Sequence, residues 1–386
     1  MLFRSEYEVE PTNVSTPESE YAPFFHKKTG TFWFVREQKF YDFVNFQSDR
    51  SSGPPAMAIW SAEYKNQRFH AIKNPASLIN PEKHMGPLVF SDDGSMACYS
   101  ETSRFAELNR PVSTQLLLAR KPNSVSTAYF QKHVFQYARP LPFSSDSFFT
   151  SHPAFSPDGK ELIFSSNRNG SVGGKDLWSV RIDTSGSNIQ FSNLRPLGPD
   201  INTSEDELAP VFKSSNELLF ASNGHPGFGG LDLFSARRIN DQWVFYGNEG
   251  LKLNSGGDDF GICFTSDSTG FFASNRINGK GKDDIYKFVF KKRLTEVKGI
   301  LWFSKNKEKP VVNTWVYLKD ENGKLIDSVK TNRKGFFVFR QLPVGTKYMI
   351  SFSEDTSVVF SNYVLSDENG IISDRSEEHT SELQSH

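Results

Sequence analysis

A stretch of strand-like sequence occurs three times between residues 153 and 288, and this repeat restricts the possible folds of the chain more than any other feature. The copies are PAFSPDGKELIFSSNRNGSVGGKDLWSV (153–180), PVFKSSNELLFASNGHPGFGGLDLFSA (210–236) and GICFTSDSTGFFASNRINGKGKDDIYKF (261–288). A phenylalanine precedes an aspartate by 21, 20 and 20 residues in the pairs Phe155 and Asp176, Phe212 and Asp232, and Phe264 and Asp284. Because the internal spacing is so nearly constant, each copy is predicted to be one structural unit.

Two weaker copies lie upstream, APFFHKKTGTFWFVREQKFYDF (22–43) and PLVFSDDGSMACYSE (87–101). The phenylalanines that mark the five units are separated by 65, 65, 57 and 52 residues: Phe25, Phe90, Phe155, Phe212 and Phe264. This is the size of a four-stranded propeller blade with loops of variable length. The 36 phenylalanines, 27 glycines and 20 prolines also favour strands and turns over helices. The sequence therefore predicts an all-β fold whose main part is a β-propeller of about five blades.

Within a unit, the residue types predict a succession of strands. The first ends near Phe155, a turn containing Asp158 and Gly159 follows, and a second strand covers 161–166 before a third begins at Asp176. Fourth strands are predicted at 189–191 and, in the next unit, from Trp243 to Tyr246.

Blades bury one another, so paired phenylalanines are expected between neighbouring sheets: Phe155 with Phe164, Phe212 with Phe220, and Phe264 with Phe272. The segment LFRSEYEVEP (2–11) is a spare strand-like piece at the other end of the repeats. Residues near 3–10 are therefore predicted to complete the last blade and close the ring.

The glycine-rich part of the repeat, FSSNRNGSVGGKDLW (164–178), is similar in composition to a phosphate-binding loop. A Walker-type loop needs a glycine four residues before Gly-Lys-Ser/Thr, whereas here Asn169 holds the glycine position and Asp176 follows Gly174-Lys175. An aspartate there would repel a phosphate. The loop is instead predicted to be structural, with its Asn-Arg pairs and aspartates fixing its conformation. These structural signature residues of the repeat are Phe155, Asp158, Gly159, Asn167, Arg168, Asp176, Phe212, Asn223, Asp232, Phe264, Asn275, Arg276 and Asp284.

Charge and motif content argue against several functions. Lys and Arg number 44 against 45 Asp and Glu, so the net charge of -1 favours neither nucleic acid nor an anionic membrane. The aromatic and basic segment YFQKHVFQYARPLPF (129–143) is predicted to be an outer blade strand rather than a nucleic-acid site. The sequence has no Gly-x-Ser-x-Gly, His-Glu-x-x-His or Cys-x-x-Cys motif. We therefore expect no enzymatic activity and no catalytic, cofactor-binding or metal-binding residue.

Cys98 and Cys263 lie in apolar segments and are predicted to be buried free thiols. Adjacent acidic residues would point to opposite faces of a strand and could not share a substrate. If they lie in loops, calcium binding stays open as an alternative, although their spacing fits no EF-hand. These pairs are Asp92-Asp93, Asp258-Asp259 and Asp283-Asp284.

The stretches FSPDGKELIFSSNRNGSVGGKDLW, INTSEDELAPVF and LNSGGDDFGICF resemble the WD40-like Pro-Asp β-propeller repeats of bacterial envelope proteins of the OmpA family. The resemblance is strongest over 150–290. It implies that a carboxypeptidase-regulatory-like module and a peptidoglycan-binding OmpA-type domain follow the propeller. The segment 296–355 is similar to such a module, a small transthyretin-like β-sandwich with turns at Asn322-Gly323 and Lys334-Gly335.

The resulting domain organisation has five parts. Residues 1–20 hold a lead-in and the ring-closing strand, 21–292 the propeller, 296–355 the sandwich, and 356–374 the start of a truncated β unit. The tail RSEEHTSELQSH (375–386) resembles the translation of a sequencing-library adapter. We therefore expect the chain to be a piece of a longer protein.

The resemblance implies a non-enzymatic cell-envelope scaffold, in the periplasm or associated with the outer membrane. Its propeller would bind protein partners, and a missing C-terminal domain would bind peptidoglycan. The resemblance also implies a link to type IX secretion, with which proteins of this architecture are associated. The chain has no apolar run long enough to span a membrane and no signal peptide at its start. Two alternatives stay open: a propeller-containing hydrolase whose catalytic domain is truncated away, and a carbohydrate- or peptide-binding propeller.

Overall fold

The computed structural model of the chain describes residues 6–38, 56–75, 83–103, 113–186, 188–291, 294–303, 306–320, 322–343, 347–354 and 357–365. It divides the chain into two compact units, Met1–Lys291 and Lys292–His386.

The first unit consists of five antiparallel four-stranded sheets. The first two blades contain β2 Glu20–His26, β3 Thr31–Gln38, β4 Ala56–Lys65 and β5 Arg68–Lys73, then β6 Lys83–Phe90, β7 Met96–Ser103, β8 Thr114–Arg120 and β9 Ala138–Pro140. Blades 3 and 4 contain β10 Thr150–Phe155, β11 Glu161–Ser166, β12 Asp176–Asp183 and β13 Gln190–Pro196, then β14 Glu207–Ser214, β15 Glu217–Ser222, β16 Asp232–Ile239 and β17 Gln242–Asn248. Blade 5 contains β18 Asp259–Phe264, β19 Thr269–Ser274, β20 Asp284–Lys291 and β1 Glu6–Pro11.

The five blades form a closed ring. Their inner strands contact one another in the order β2, β6, β10, β14, β18 and back to β2. The segment expected to complete the last blade contains β1, which pairs antiparallel with β20, Val9 lying opposite Phe288. The first strand of the chain is thus the outermost strand of the last blade, and the ring is closed by strand pairing between distant parts of the sequence.

Five hydrophobic cores lie between the blades, one at each junction. Phe90 and Trp33 join blades 1 and 2, and Phe155 and Phe164 pack against Leu116 of blade 2. Further round the ring, the cores between blades 3 and 4, 4 and 5, and 5 and 1 centre on fully buried aromatic rings: Phe220, Phe272 and Phe32. Since each sheet is covered on both faces by its neighbours, the ring as a whole forms the folding unit.

Each inner strand carries a β-bulge, which begins three residues before the marker phenylalanine in blades 1, 3, 4 and 5 and four residues before it in blade 2. The registers shift after Tyr21, Met85, Ser151, Leu208 and Phe260. The bulged residue has a positive φ in four blades: Ala22 at 52°, His152 at 53°, Ala209 at 47° and Gly261 at 59°. A proline follows in blades 1 to 4, and its missing N–H leaves no donor unpaired at the irregular point.

One predicted strand is wrong. Residues 129–143 contain helices α1 Thr127–Lys132 and α2 Val134–Tyr137, and only Ala138–Pro140 is a strand. The Ser126 side chain caps α1 by accepting a hydrogen bond from the Tyr129 N–H. Phe130 and Val134, one helical turn apart, are both fully buried in the core between blades 1 and 2. The apolar residues of this segment are thus spaced as in a helix, with one face buried, rather than alternating as in a strand.

The second unit is a small β-sandwich. One sheet pairs β21 Leu294–Ile300 with β26 Phe336–Pro343, and the other has the order β25 Leu325–Lys330, β24 Trp315–Lys319, β27 Lys347–Glu354 and β28 Ser357–Leu365. A further pair joins β22 Trp302–Phe303 and β23 Asn306–Pro310. Val316, Phe339 and Ile350 from both larger sheets share one core. The described part of 356–374 is β28, which extends this sheet; 366–374 and the tail 375–386 lie outside the described residues. The predicted fold class, an all-β chain with a propeller and a small β-sandwich, is confirmed.

Candidate functional site

The three glycine-rich loops, 167–175, 223–231 and 275–283, join the second and third strands of blades 3, 4 and 5. In each, the aspartate that opens the third strand accepts hydrogen bonds from two backbone N–H groups of its own loop. The donors lie four and three residues before the aspartate, at 2.7 and 3.3 Å respectively for Asp176, 2.5 and 3.1 Å for Asp232, and 2.5 and 3.1 Å for Asp284. These carboxylates therefore hold the loops in shape.

The asparagine at the start of each loop connects it to the segment before the inner strand. The Oδ1 atoms of Asn167, Asn223 and Asn275 accept from the N–H groups of Phe149, Asp206 and Asp258, at 2.7, 2.9 and 2.6 Å. Each asparagine thus forms a bridge between a glycine loop and the entry to the inner strand of the same blade.

In a second set of carboxylates, Asp259 was noted in the sequence only as a member of an acidic pair, and Glu20 and Glu207 were not predicted to have a role. Glu20, Glu207 and Asp259 open the inner strands of blades 1, 4 and 5, and each is fully buried. Each accepts from the backbone N–H of a serine or threonine four residues earlier, at 3.0, 2.8 and 2.6 Å. The signal was present in the lead-in segments NVSTPESEYAP, INTSEDELAP and LNSGGDDFGI, where a hydroxyl residue precedes an acid by four positions.

The glycine loop of one blade is tied to the lead-in segment of the next. Lys175 N–H donates to Asp206 Oδ1 at 2.9 Å, Leu231 N–H donates to Asp258 Oδ1 at 2.8 Å, and Glu20 N–H donates to the carbonyl of Asp283 at 2.8 Å. We call the surface formed by these loops and by lead-in segments 14–19, 201–206 and 253–258 the glycine-loop face. It runs without interruption from blade 3 through blades 4 and 5 to blade 1.

The spacing of the glycines follows from this contact. A Cβ on Gly173 would lie 2.3 Å from the carbonyl carbon of Ser204, and a Cβ on Gly229 would lie 2.2 Å from the oxygen of Gly257. No side chain fits where two backbones approach so closely. The resemblance of the loop to a phosphate-binding loop therefore has a packing cause.

The two Asn-Arg pairs differ in their partners. Arg276 donates to Asp259 Oδ1 at 2.6 Å and stacks on the rings of Phe272 and Tyr286. Arg168, at the same position in blade 3, is caged by aromatic rings 4.9 to 5.6 Å from its guanidinium carbon: Phe143, Phe148, Phe164 and Trp178. Arg168 forms no ion pair with the part of the chain that is described.

Apolar side chains project from the tips of the loops. Val172 is 63% exposed, Phe228 is 42% exposed and Ile277 is 90% exposed. The backbone N–H groups of Val172 and Phe228 are the ones held by Asp176 and Asp232. The carboxylates thus fix the backbone that presents the apolar groups to solvent.

Burial perturbs the acids of this face. Desolvation raises the pKa of Glu20 and of Glu207 above the usual 4.5, against the lowering effect of their hydrogen bonds. It also raises the pKa of Asp232, whose Oδ1 is buried without a hydrogen-bond partner, and the nearby Asp259 and Asp258 add to the effect. Over the described ranges, no three His, Cys, Asp or Glu side chains come together in a way that could hold a metal ion.

The remaining signature residues lie away from this face. Asp158 Oδ1 accepts from Ser156 Oγ at 2.6 Å, which lowers the pKa of Asp158, and Gly159 follows at φ +68°. Phe155 lies in the core between blades 2 and 3, while Phe212 and Phe264 are partly buried against the cores on either side of blade 4.

Cys98 and Cys263 are buried free thiols, as predicted, and burial raises the pKa of Cys263 to about 12. Neither helix in the described ranges is long and apolar enough to cross a bilayer.

No protein-family model matches the chain, and no curated protein matches it. Among solved structures, TolB from Acinetobacter baumannii is 12% identical with a TM-score of 0.34, over 70% of this chain and 54% of TolB. A puromycin-hydrolyzing peptidase of Mycobacterium tuberculosis is 12% identical at a TM-score of 0.37, over 94% and 61% of the two chains. The xyloglucan-locus protein GH43B of Bacteroides ovatus is 10% identical at a TM-score of 0.43, over 92% of each chain. This chain thus spans just over half of TolB and about three fifths of the peptidase. Likenesses this distant say nothing about its activity.

Proposed function

We propose that the chain is a non-enzymatic interaction module in which the glycine-loop face of the propeller binds a protein partner. The observation that carries this is the set of exposed apolar side chains, Val172, Phe228 and Ile277, on loops whose backbone is fixed. Large apolar groups held rigidly in water are typical of interaction sites, because binding buries them with little ordering cost.

The carboxylates of this face support a structural use rather than a catalytic one. Asp176, Glu207 and Asp259 each accept two or more hydrogen bonds from backbone or hydroxyl groups of the described chain. A general acid or base must instead present its carboxyl group to a substrate. The proposal that the propeller is not an enzyme rests on this engagement of its acids.

The cellular setting follows from the resemblance of the repeats to those of OmpA-family envelope proteins. In this proposal the propeller belongs to a peptidoglycan-associated scaffold in the periplasm or at the outer membrane, with type IX secretion as one process it would serve. A domain outside this chain would bind the cell wall. Sedimentation of the native full-length protein with purified peptidoglycan tests the anchoring, and a protein that stays in the supernatant would remove that part.

Two triple variants of the purified chain test binding by the glycine-loop face. Each variant is incubated with a cell-envelope extract from the organism that encodes the chain, and the retained proteins are compared with those retained by the wild type. One replaces the loop-tip residues, Val172→Ser, Phe228→Ser and Ile277→Ser. The matched control replaces exposed apolar residues on strands β13, β16 and β17, Leu194→Ser, Ile239→Ser and Tyr246→Ser. We expect the partner to be lost only with the loop-tip variant. Equal retention by both would overturn the assignment of the face, and glycosidase or peptidase turnover by the wild-type chain would overturn the non-enzymatic part.

A further inference from the structure

The inner-strand residue two positions before the bulge is an acid in blades 1, 4 and 5, a threonine in blade 3 and His84 in blade 2. Outside blade 2, each of these residues is paired with a residue at or near the end of the second strand. The pairs are Glu20 with Arg36, Glu207 with Ser222, Asp259 with Ser274, and Thr150 with Ser166. Blade 3 therefore lacks a carboxylate at a place where three other blades have a buried one.

The cation that would match this carboxylate is nevertheless present in blade 3. Arg168 donates from Nε to Ser166 Oγ at 3.1 Å, as Arg276 donates to Ser274 Oγ at 2.9 Å in blade 5. The Nη2 of Arg276 then reaches Asp259 at 2.6 Å, whereas the Nη2 of Arg168 reaches only Thr150 Oγ1, at 3.4 Å. The two arginines have the same placement, and only one has a counter-charge within the described chain.

The surroundings of Arg168 make the missing anion costly. The residue is 6% exposed, and its guanidinium carbon lies 4.9 Å from the ring centroids of both Phe148 and Phe164. Ring faces attract a cation but accept no conventional hydrogen bond. A buried charge without a counter-ion is unfavourable, and burial lowers the pKa of Arg168 to about 10.

We propose that Arg168 and Thr150 form a binding site for a carboxylate group, supplied by an acidic side chain of the partner that docks on the glycine-loop face. The carboxylate would take the position that the Asp259 side chain occupies in blade 5, pairing with the guanidinium and accepting from Thr150 Oγ1. Phe143 and Phe148 are the partly buried rings of the cage, so we expect the ligand to approach past them. Only the source of the carboxylate, a partner protein, rests on the proposed function.

The first test uses thermal unfolding of the full chain at pH 7, in sodium acetate and in sodium chloride of equal ionic strength. Acetate is expected to raise the Tm of the wild type by mass action. Thr150→Asp places the anion inside the protein, so its Tm should rise by about 2 °C or more in chloride and should respond less to acetate. Thr150→Asn, similar in size but uncharged, should keep the wild-type response to acetate.

The change in Tm that acetate still causes in Thr150→Asp measures the general effect of acetate on protein stability. The site would be overturned by two results together. The wild type would have the same Tm in both salts, and Thr150→Asp would be no more stable than Thr150→Asn. Because Thr150→Asp would ordinarily destabilise a buried position, a gain in Tm has no simple alternative explanation.

A second test separates a partner side chain from a free small carboxylate. The probe is the peptide acetyl-Ala-Glu-Ala-amide, with its Gln counterpart as control, read out by the fluorescence of Trp178 beside Arg168 after subtraction of a Trp178→Phe variant. A response to the Glu peptide alone supports a protein partner. A response to acetate with none to the peptide would overturn the partner as the source. The loop-tip serine variants leave Arg168 intact, so failure of this site and failure of the proposed face can be told apart.

Discussion

The carboxylate of Asp259 and the guanidinium of Arg276 form an ion pair, Oδ1 to Nη2 2.6 Å, in which the carboxylate is fully buried. Asp259 also accepts from Ser255 and Ser274, so it joins the lead-in segment, the second strand and the glycine loop of blade 5. Removing one member of such a pair leaves a buried charge uncompensated.

Asp259→Asn is therefore expected to lower the free energy of unfolding by about 3 kcal/mol. Urea denaturation followed by tryptophan fluorescence measures this change. Glu63→Gln is the matched control, because it breaks the exposed contact between Glu63 and Lys65 and should leave the midpoint unchanged. Asp259→Asn with an unchanged midpoint would show that the pair contributes nothing to stability.

Asp232 holds the loop of blade 4 through the N–H groups of Phe228 and Gly229. Asp232→Ala leaves both donors without their acceptor and is expected to cost about 2 kcal/mol. Asp232→Asn keeps an acceptor oxygen and should cost less, since the pKa of Asp232 is already raised by burial. Amide hydrogen exchange at 228 and 229 reports the local effect; equal protection in both variants would contradict the assigned role.

Glu207 provides a pH-dependent prediction. Its folded-state pKa is raised by burial, so the folded protein binds a proton more tightly than the unfolded chain does. Its contribution to stability is then full below the ordinary pKa of 4.5 and is lost as the pH rises through the folded-state pKa. Compared with wild type, Glu207→Gln should be relatively more stable at pH 7 than at pH 4. Unfolding curves at both values test this, and a stability difference independent of pH would contradict it.

Pairing of β1 with β20 predicts the effect of opening the ring. Deleting residues 1–11 removes that pairing and the packing of Tyr7 on Phe288. Cys263 lies in the core between blades 5 and 1, and Cys98 in the core between blades 2 and 3. In native buffer, a thiol reagent should modify Cys263 of the deleted protein faster than Cys98, while both stay protected in the intact chain. Equal protection of Cys263 in both proteins would mean that β1 does not hold the ring closed.

The repeat was enough to predict five units, because the distance from Phe155 to Asp176 recurs with each blade and reflects one four-stranded sheet. It did not predict the helices at 127–137. There, the spacing of Phe130 and Val134 matches a helical turn, but the β context of the chain outweighed this local pattern.

The site was predicted in part. The aspartates at 176, 232 and 284 stood out because the loop repeats, whereas Glu20 and Glu207 sit in polar lead-in segments that read as solvent-exposed. Their burial depends on strand register, which places Glu207 opposite Ser222 and Glu20 opposite Arg36. Arg168 has no carboxylate partner among the described residues, and predicting this would also have required the register, which places Thr150 where other blades have an acid.

Photo-crosslinking in cells that express the native gene tests the central claim, partner binding by the glycine-loop face, most directly. A photoreactive phenylalanine analogue is placed at Phe228 on a loop tip and, as the matched position, at Tyr246 on the outer strand of the same blade. We predict a discrete adduct from position 228 that disappears when Val172 and Ile277 are changed to serine, and none from position 246. The same adduct from both positions, or one from 246 alone, would contradict the account.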